Sequence, residues 1–170
     1  MIRGRFMTSN DDCTDIFAIR REVFGNEQGF SESNIVDEND KMAYYALVFD
    51  ENDVPMGTGR LTLIDDKFVI GKICVLKQAR GQGLGDLVMR MLLVRAEELH
   101  APKVYIRSRT DKIGFYQRYG FTPTGEVTDV EGVPHRWMSA NADEIDIEGS
   151  CSKNGACEGC EKTCDSCNHT

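Results

Sequence analysis

Apolar positions along the chain recur with two spacings, one typical of strands and one typical of helices. Short runs rich in β-branched and aromatic residues predict strands, and two further strands flank a turn at Glu131-Gly132. The runs lie at residues 2–7, 42–49, 56–64, 68–76 and 103–108. Asp50-Glu51-Asn52-Asp53 separates the second run from the third, which predicts a hairpin that the fourth run extends.

Helical spacing is clearest directly after residue 83. The apolar residues that share one helical face there are Leu84, Leu87, Val88, Met91, Leu92 and Leu99. Asp86 lies in the first turn and Pro102 follows His100, as is typical of the two ends of a helix. We therefore predict a helix of about four turns.

Two shorter helices complete the predicted secondary structure. The first follows Ser9 or Asn10 as a cap, and its apolar face consists of Cys13, Ile16, Phe17, Val23 and Phe24. The polar residues 25–41 are predicted to form a mobile segment. The second helix contains Tyr116, with Thr110 as its predicted cap and Gly120 as its predicted end. The alternation of strands and helices predicts an α/β (α+β) fold.

A glycine-rich loop, Arg80-Gly81-Gln82-Gly83-Leu84-Gly85, connects the predicted fourth strand to the long helix. The first N–H groups of a helix have no intrahelical partner and lie at the positive end of its dipole. The loop is therefore a candidate anion-binding site. Its spacing excludes the dinucleotide fingerprint G-x-G-x-x-G, and the absence of G-K-[S/T] excludes a P-loop.

The remaining pattern, R-x-x-G-x-G, resembles the acetyl-CoA-binding signature of the GNAT superfamily of N-acetyltransferases. Residues 73–85 resemble the family's fourth strand, pyrophosphate loop and following helix, and residues 114–121 resemble its second hallmark, F-Y-x-x-x-G-F. The resemblance covers most of the chain. It implies a mixed, mainly antiparallel sheet flanked by helices, with acetyl-CoA as cosubstrate.

Two further segments indicate a subgroup. Residues 19–29 resemble the R-x-x-V-F-x-x-E-Q element of a poorly characterised bacterial group, and residues 131–138 resemble its E-x-G-x-P-H-x-x-M ending. The first element, followed by Asp37, Glu38 and Asp40, also resembles acyl-homoserine-lactone synthases. Those synthases lack a clean glycine loop, so a synthase-like acyltransferase is the second hypothesis. A non-catalytic acyl-CoA-binding protein is the third.

The resemblance implies the following site. The residues that bind the cofactor are Ile73, Cys74 and Val75 for the pantetheine arm, Arg80, Gly81, Gln82, Gly83, Leu84 and Gly85 for the pyrophosphate, and Arg109. Tyr116 matches the tyrosine acid that assists the departing thiolate, and Glu27 is the candidate base, with Glu22 or a bound water as alternatives. Arg109 and Lys112 depart from the asparagine and alanine that many relatives have.

The implied reaction is direct attack of a primary amine on the acetyl group in a ternary complex. Cys74 lies near the expected acetyl group, but a cysteine in an apolar strand is usually unreactive, which disfavours an acyl-cysteine. The acceptor is a small-molecule amine or a peptide amine, and the sequence does not choose between them.

Composition narrows the partners. The 170 residues suit one domain, and the formal net charge is -8, of which residues 140–170 supply -5. An acidic chain argues against nucleic acid as a partner. No apolar run predicts a membrane helix or a secretory signal, so we expect a cytoplasmic protein without a membrane partner. A homodimer stays open.

The C-terminal residues are rich in cysteine and acids. We predict an acetyltransferase domain at 1–140 and a tail at 141–170. The candidate metal ligands are Cys157, Cys160, Cys164 and Cys167, which form two C-x-x-C pairs. Zinc is one hypothesis for the tail, and an iron–sulfur cluster, a thiol–disulfide pair and an unstructured segment are the alternatives.

Overall fold

The computed structural model describes residues 1–149. Its strands are β1 (Arg3–Thr8), β2 (Tyr44–Phe49), β3 (Pro55–Ile64), β4 (Lys67–Val75), β5 (Lys103–Arg109), β6 (Thr122–Val130) and β7 (Val133–Asn141). The α-helices are α1 (Thr14–Arg20), α2 (Glu32–Ile35), α3 (Leu84–Glu98) and α4 (Ile113–Gln117). A π-helix spans Arg21–Glu27, and 3₁₀ helices span Glu38–Met42, Lys77–Ala79, Thr110–Lys112 and Ala142–Glu144.

The strands form one mixed sheet in the order β1-β2-β3-β4-β5-β7-β6. Every neighbouring pair is antiparallel except β4 and β5. The predicted fold, a mainly antiparallel sheet flanked by helices, is thereby confirmed. The parallel pairing covers only Phe68–Ile70 against Val104–Ile106, so β4 and β5 diverge after Ile70.

Helices pack on both faces of the sheet. The buried residues of α3 include Val88, Met89 and Leu92, and they share one core cluster with Ile70 and Ile106. The other face carries a second cluster, in which Ile16, Ile19 and Val23 join Tyr45 and Leu47. Because one side of each amphipathic helix is buried in this way, the sheet is held rigidly between the two helical layers.

Residues 25–41, which we predicted to be a mobile polar segment, contain regular structure with buried contacts. They contain α2, and Asp37 caps the 3₁₀ helix that follows through a capping box with Asp40. The carboxylate of Asp40 binds Arg20 at 2.8 Å and Arg60 at 3.1 Å, and accepts a hydrogen bond from the Tyr45 hydroxyl at 2.9 Å. This buried charge network anchors the segment, and polarity alone did not indicate it.

The short helix that contains Tyr116 begins later than predicted. Thr110 starts a 3₁₀ turn, and α4 begins at Ile113 with Lys112 as its N-cap residue. The helix ends at Gln117, and Gly120 lies beyond it with φ +91°. A Cβ at Gly120 would stand 2.0 Å from the carbonyl oxygen of Glu144. Glycine is therefore required there by the close approach of the C-terminal backbone as well as by φ.

The folded unit extends beyond the predicted boundary at residue 140. Ala142 donates a backbone hydrogen bond to Pro102, and Asp146 donates one to Tyr119, each at 3.0 Å. Ile145 and Ile147 pack against the main core cluster. Residues of the segment 141–149 thus pack against the strands and helices that precede them. The predicted metal ligands Cys157, Cys160, Cys164 and Cys167 lie outside the described residues.

Within residues 1–149, no helix is long and apolar enough to cross a bilayer.

Candidate active site

The divergence of β4 and β5 opens a cleft of about 790 Å³, which we call the β4–β5 cleft. Its walls come from the second half of β4, the glycine loop, α4 and the end of the π-helix. Ile73, Cys74 and Val75 all line it. Since the pairing with β5 ends at Ile70, the edge of β4 that faces the cleft has no strand partner beyond that residue within the described part of the chain. Backbone groups along such an edge can pair with an extended ligand.

The glycine loop lies at the N-terminus of α3. Gly81 and Gly83 have φ of +78° and +76°, and Gly83 is the N-cap residue of this 15-residue helix. A Cβ added at either position would meet nothing within 4 Å, so the surface above the loop is open. A left-handed backbone without side chains, at the positive end of a helix, fits a phosphate group.

The predicted loop residues are not equally placed. Arg80, Gly81, Gly83, Leu84 and Gly85 line the β4–β5 cleft. Gln82 is exposed and lies outside the cleft lining. Arg109 and Lys112 also line the cleft, and the Arg109 guanidinium binds Asp111 at 3.0 Å.

Glu27 and Arg80, predicted separately as base and cofactor ligand, form an ion pair. The two guanidinium nitrogens of Arg80 donate to the two carboxylate oxygens of Glu27 at 2.6 and 2.7 Å. The Nε of Arg80 donates to the carbonyl oxygen of Val75 at 3.0 Å. The hydrogen bonds from Arg80 hold the pKa of Glu27 below its ordinary value. The pair connects the π-helix to the glycine loop across the cleft.

Asp86 places a negative charge beside the loop, and cationic neighbours compensate for it. Arg90 binds its carboxylate at 2.9 Å and Arg118 binds it at 3.2 Å, and the Tyr119 hydroxyl donates to it as well. Both arginines line the cleft. These partners reduce the repulsion between Asp86 and a bound phosphate, because the two arginines compensate for the negative charge of Asp86.

Tyr116 reaches the cleft from α4. Its ring is half-buried and makes an edge contact with Phe115 at a centroid distance of 5.1 Å. Burial, together with the nearby Cys74, raises the pKa of the Tyr116 phenol, so the hydroxyl keeps its proton at neutral pH. Burial likewise raises the pKa of the Cys74 thiol to about 12. A neutral buried thiol is a poor nucleophile.

Gln28 lines the β4–β5 cleft and lies inside one of the sequence motifs, but it was not among the site residues predicted from the sequence. It directly follows the predicted base Glu27. The π-helix directly before it is a rare conformation that frequently marks functional sites. Apolar spacing predicts an ordinary helix at this position. The sequence signal that could have indicated Gln28 as a site residue is its place in the R-x-x-V-F-x-x-E-Q element.

A cleft between diverging strands, beside a glycine loop at a helix N-terminus, is typical of acyl-CoA-dependent acyltransferases. The domain family described as "Acetyltransferase (GNAT) domain" matches residues 19–142, and the chain belongs to this family. It is similar to the N-acetyltransferase YjcF of Bacillus subtilis, with 29% identity over 131 residues that cover 76% of this chain and 93% of YjcF.

Solved structures agree with this assignment. An acyl-CoA N-acyltransferase from Pseudomonas aeruginosa superimposes with a TM-score of 0.73 at 26% identity, over 82% of this chain and 99% of that one. A CoA-dependent acyl-homoserine lactone synthase, BjaI, superimposes with a TM-score of 0.69 at 14% identity, over 84% of each chain, which shows a shared fold alone. The prediction that the chain is an acyltransferase is confirmed.

Proposed function

We propose that this protein transfers the acetyl group of acetyl-CoA to a primary amine by direct attack in a ternary complex. One observation carries the proposal: the free edge of β4, the glycine loop and Tyr116 all face the same cleft. These are the three parts that such a reaction needs, namely a support for an extended arm, a phosphate site and a proton donor.

Each part has a defined task. The backbone of Ile73, Cys74 and Val75 holds the pantetheine arm along β4, and the amides of Gly81 to Gly85 bind the pyrophosphate. Much of the rate enhancement then comes from holding two reactants together in a fixed orientation. The Tyr116 phenol donates a hydrogen bond to the departing thiolate. The high pKa of Cys74 supports transfer without an acyl-cysteine.

The base is a separate question. Glu27 is our candidate, and its charged form is favoured because both oxygens accept hydrogen bonds from Arg80. A carboxylate with a lowered pKa is a weak base, so we assign Glu27 to a relay in which an ordered water takes the amine proton and passes one of its own protons to the carboxylate. Glu22, the alternative from the sequence, lies outside the cleft lining and accepts a hydrogen bond from Asn26 at 2.7 Å.

The first experiment measures acetyl-CoA binding by calorimetry. Gly83→Val places a β-branched side chain on the open loop at φ +76°, and we expect the Kd to rise at least about tenfold because the phosphate site is blocked. Gly125→Val is the matched control, since Gly125 has φ +68°, equally open surroundings and no place in the cleft lining.

The second experiment screens amines for acetyl-CoA-dependent thiol release. The panel contains propylamine, lysine, spermidine, tryptamine, homoserine lactone and a lysine-containing peptide. Turnover with homoserine lactone alone would favour the synthase-like alternative. Binding of acetyl-CoA with no turnover of any amine would favour the non-catalytic alternative, and no binding at all would refute the proposal.

A further inference from the structure

We propose that the amide oxygen of Gln28 accepts a hydrogen bond from the nucleophilic amine of the acceptor, a role that rests on the proposed acetyl transfer. Backbone hydrogen bonds fix the position of Gln28. The N–H of Gly29 donates to Gly25 at 2.9 Å, and the N–H of Phe30 donates to Phe24 at 2.8 Å. These two bonds close the end of the π-helix around Gln28.

Side-chain packing fixes the same turn. Phe24 and Phe30 meet edge to face at a centroid distance of 6.5 Å, and Val23, which is 3% exposed, anchors the π-helix in the core. Because the π-helix carries one more residue per turn than an α-helix, the residues at its end are placed differently from those of a regular helix. Gln28 therefore lies at the cleft wall in a backbone position that the fold maintains.

The polar end of Gln28 is unusual. Its Oε1 atom is buried, and no group among residues 1–149 donates a hydrogen bond to it. Buried polar atoms are almost always paired, because leaving one unpaired destabilises the folded protein. An acceptor atom of this kind in a cleft wall is suited to a ligand that brings a donor. A primary amine brings two N–H donors when it is neutral and three when it is protonated.

Three carboxylates in the cleft already have cationic partners. Both oxygens of Glu27 bind Arg80, and Asp111 binds Arg109. Asp86 is bound by Arg90 and Arg118. The Oε1 of Gln28, a neutral acceptor, can thus be engaged by a substrate amine without displacing any of these ion pairs.

A neutral amide also suits the chemistry better than a carboxylate does. The attacking amine must be unprotonated, and a nearby negative charge would favour its protonated, unreactive form. An amide oxygen accepts one N–H and orients the lone pair toward the acetyl carbon with a smaller effect on the amine pKa. The carboxylate of Glu27 has little effect on the pKa of the amine, because the charge of Arg80 compensates for its own charge.

The test compares Gln28→Leu with wild-type protein, using the amine of highest turnover in the panel above. We expect the KM for the amine to rise about 3–10-fold, as for the loss of one neutral hydrogen bond. The Kd for acetyl-CoA should stay within twofold. The melting temperature without ligands should rise by about 2–4 °C, since an unpaired buried oxygen is replaced by an apolar group of similar size.

Two further variants sharpen the result. Asn26→Leu removes an exposed amide from the same π-helix, and it should change neither the amine KM nor acetyl-CoA binding. Gln28→Glu should move the pH profile of kcat to higher pH, because a carboxylate raises the pKa of the bound amine and kcat reports groups that ionise in the bound complex.

The failures can be told apart. Wild-type protein that binds no acetyl-CoA refutes the proposed function and this role with it. Wild-type protein that acetylates the amine while Gln28→Leu keeps the wild-type KM refutes this inference alone. A melting temperature that falls in Gln28→Leu would show that Oε1 is paired within the folded chain and would also overturn it.

Discussion

Replacing Asp40 by Asn tests whether the buried charge network holds the segment that leads to the active site. Asp40 contacts Arg20, which is 0% exposed, as well as Arg60 and Tyr45. Asn preserves the shape of the side chain and removes its charge. The guanidinium of Arg20 is then buried without a carboxylate partner.

The magnitude follows from the pKa of Asp40. Burial by itself would raise this pKa, but Arg20, the Asp37 amide and Arg60 outweigh that effect and lower it from 3.8 to about 2. This shift corresponds to about 2 kcal/mol of stability at pH 7. The variant removes the Asp40 carboxylate and leaves the buried charge of Arg20 uncompensated. The free energy of unfolding should therefore fall by about 3–5 kcal/mol in total. The melting temperature should fall by about 6–20 °C.

The sign of the pH dependence is fixed by the lowered pKa. The stabilisation is complete above the unfolded-state pKa of 3.8 and is lost as the pH falls through about 2. At pH 3, about 1 kcal/mol of it should remain. Urea unfolding of wild-type and Asp40→Asn protein at pH 7 and pH 3 should therefore show a smaller difference at pH 3.

The control is Asp53→Asn, which breaks the exposed Arg3–Asp53 pair at 2.8 Å. An exposed pair contributes at most about 1 kcal/mol, so this variant should melt close to wild type. If Asp40→Asn melts within 2 °C of Asp53→Asn, the network does not anchor the segment and the reasoning is wrong.

Three other predictions concern the site and its support. Tyr116→Phe should lower kcat about 10²–10⁴-fold and leave the acetyl-CoA Kd within twofold, because the phenol acts only on the leaving group. Tyr105→Phe is the control, since Tyr105 lies outside the cleft lining. A Tyr116→Phe enzyme with more than half the wild-type kcat would exclude the acid role. Gly120→Ala should lower the free energy of unfolding by about 2–4 kcal/mol, because Gly120 has φ +91° and an added Cβ would collide with the carbonyl oxygen of Glu144. Gly132→Ala, at φ +84° with open surroundings, should lower it by about 1 kcal/mol. Equal losses in thermal unfolding would contradict the argument from the close approach at Gly120. If Glu27 is the base, its lowered pKa places the acidic limb of the kcat profile below pH 4.5, and a limb between pH 6 and 9 that disappears in Glu27→Gln would contradict this.

Several parts of the site could be predicted from the sequence because their chemistry is local. Gly81 and Gly83 carry positive φ values that favour glycine, and the apolar spacing from Leu84 onward defines the helix that follows. Loop and helix lie side by side in the chain, so a short sequence pattern is enough to propose an anion site. The strands could be predicted for the same reason, and the family followed from the resemblance of two local motifs.

Other features depended on contacts between distant segments. Glu27 and Arg80 are 53 residues apart, and nothing in either local pattern predicts that they form an ion pair across the cleft. Arg60 and Asp37 are similarly separate in sequence and bind at 2.6 Å. Residues 25–41 were predicted to be mobile because they are polar. They form helices instead, because charged groups in the segment make ion pairs with buried residues that lie far away in the sequence.

The sequence by itself indicated the class of protein and a candidate phosphate loop through motif resemblance, and the chain order of strands and helices through propensity and spacing, because these signals act over a few residues at a time. Only the tertiary structure decided where β4 and β5 separate, which charges in the cleft are compensated, and that Gln28 has a buried oxygen without a partner among residues 1–149. Those properties arise when remote segments exclude water from one another, and a linear pattern contains no record of which groups will be desolvated together.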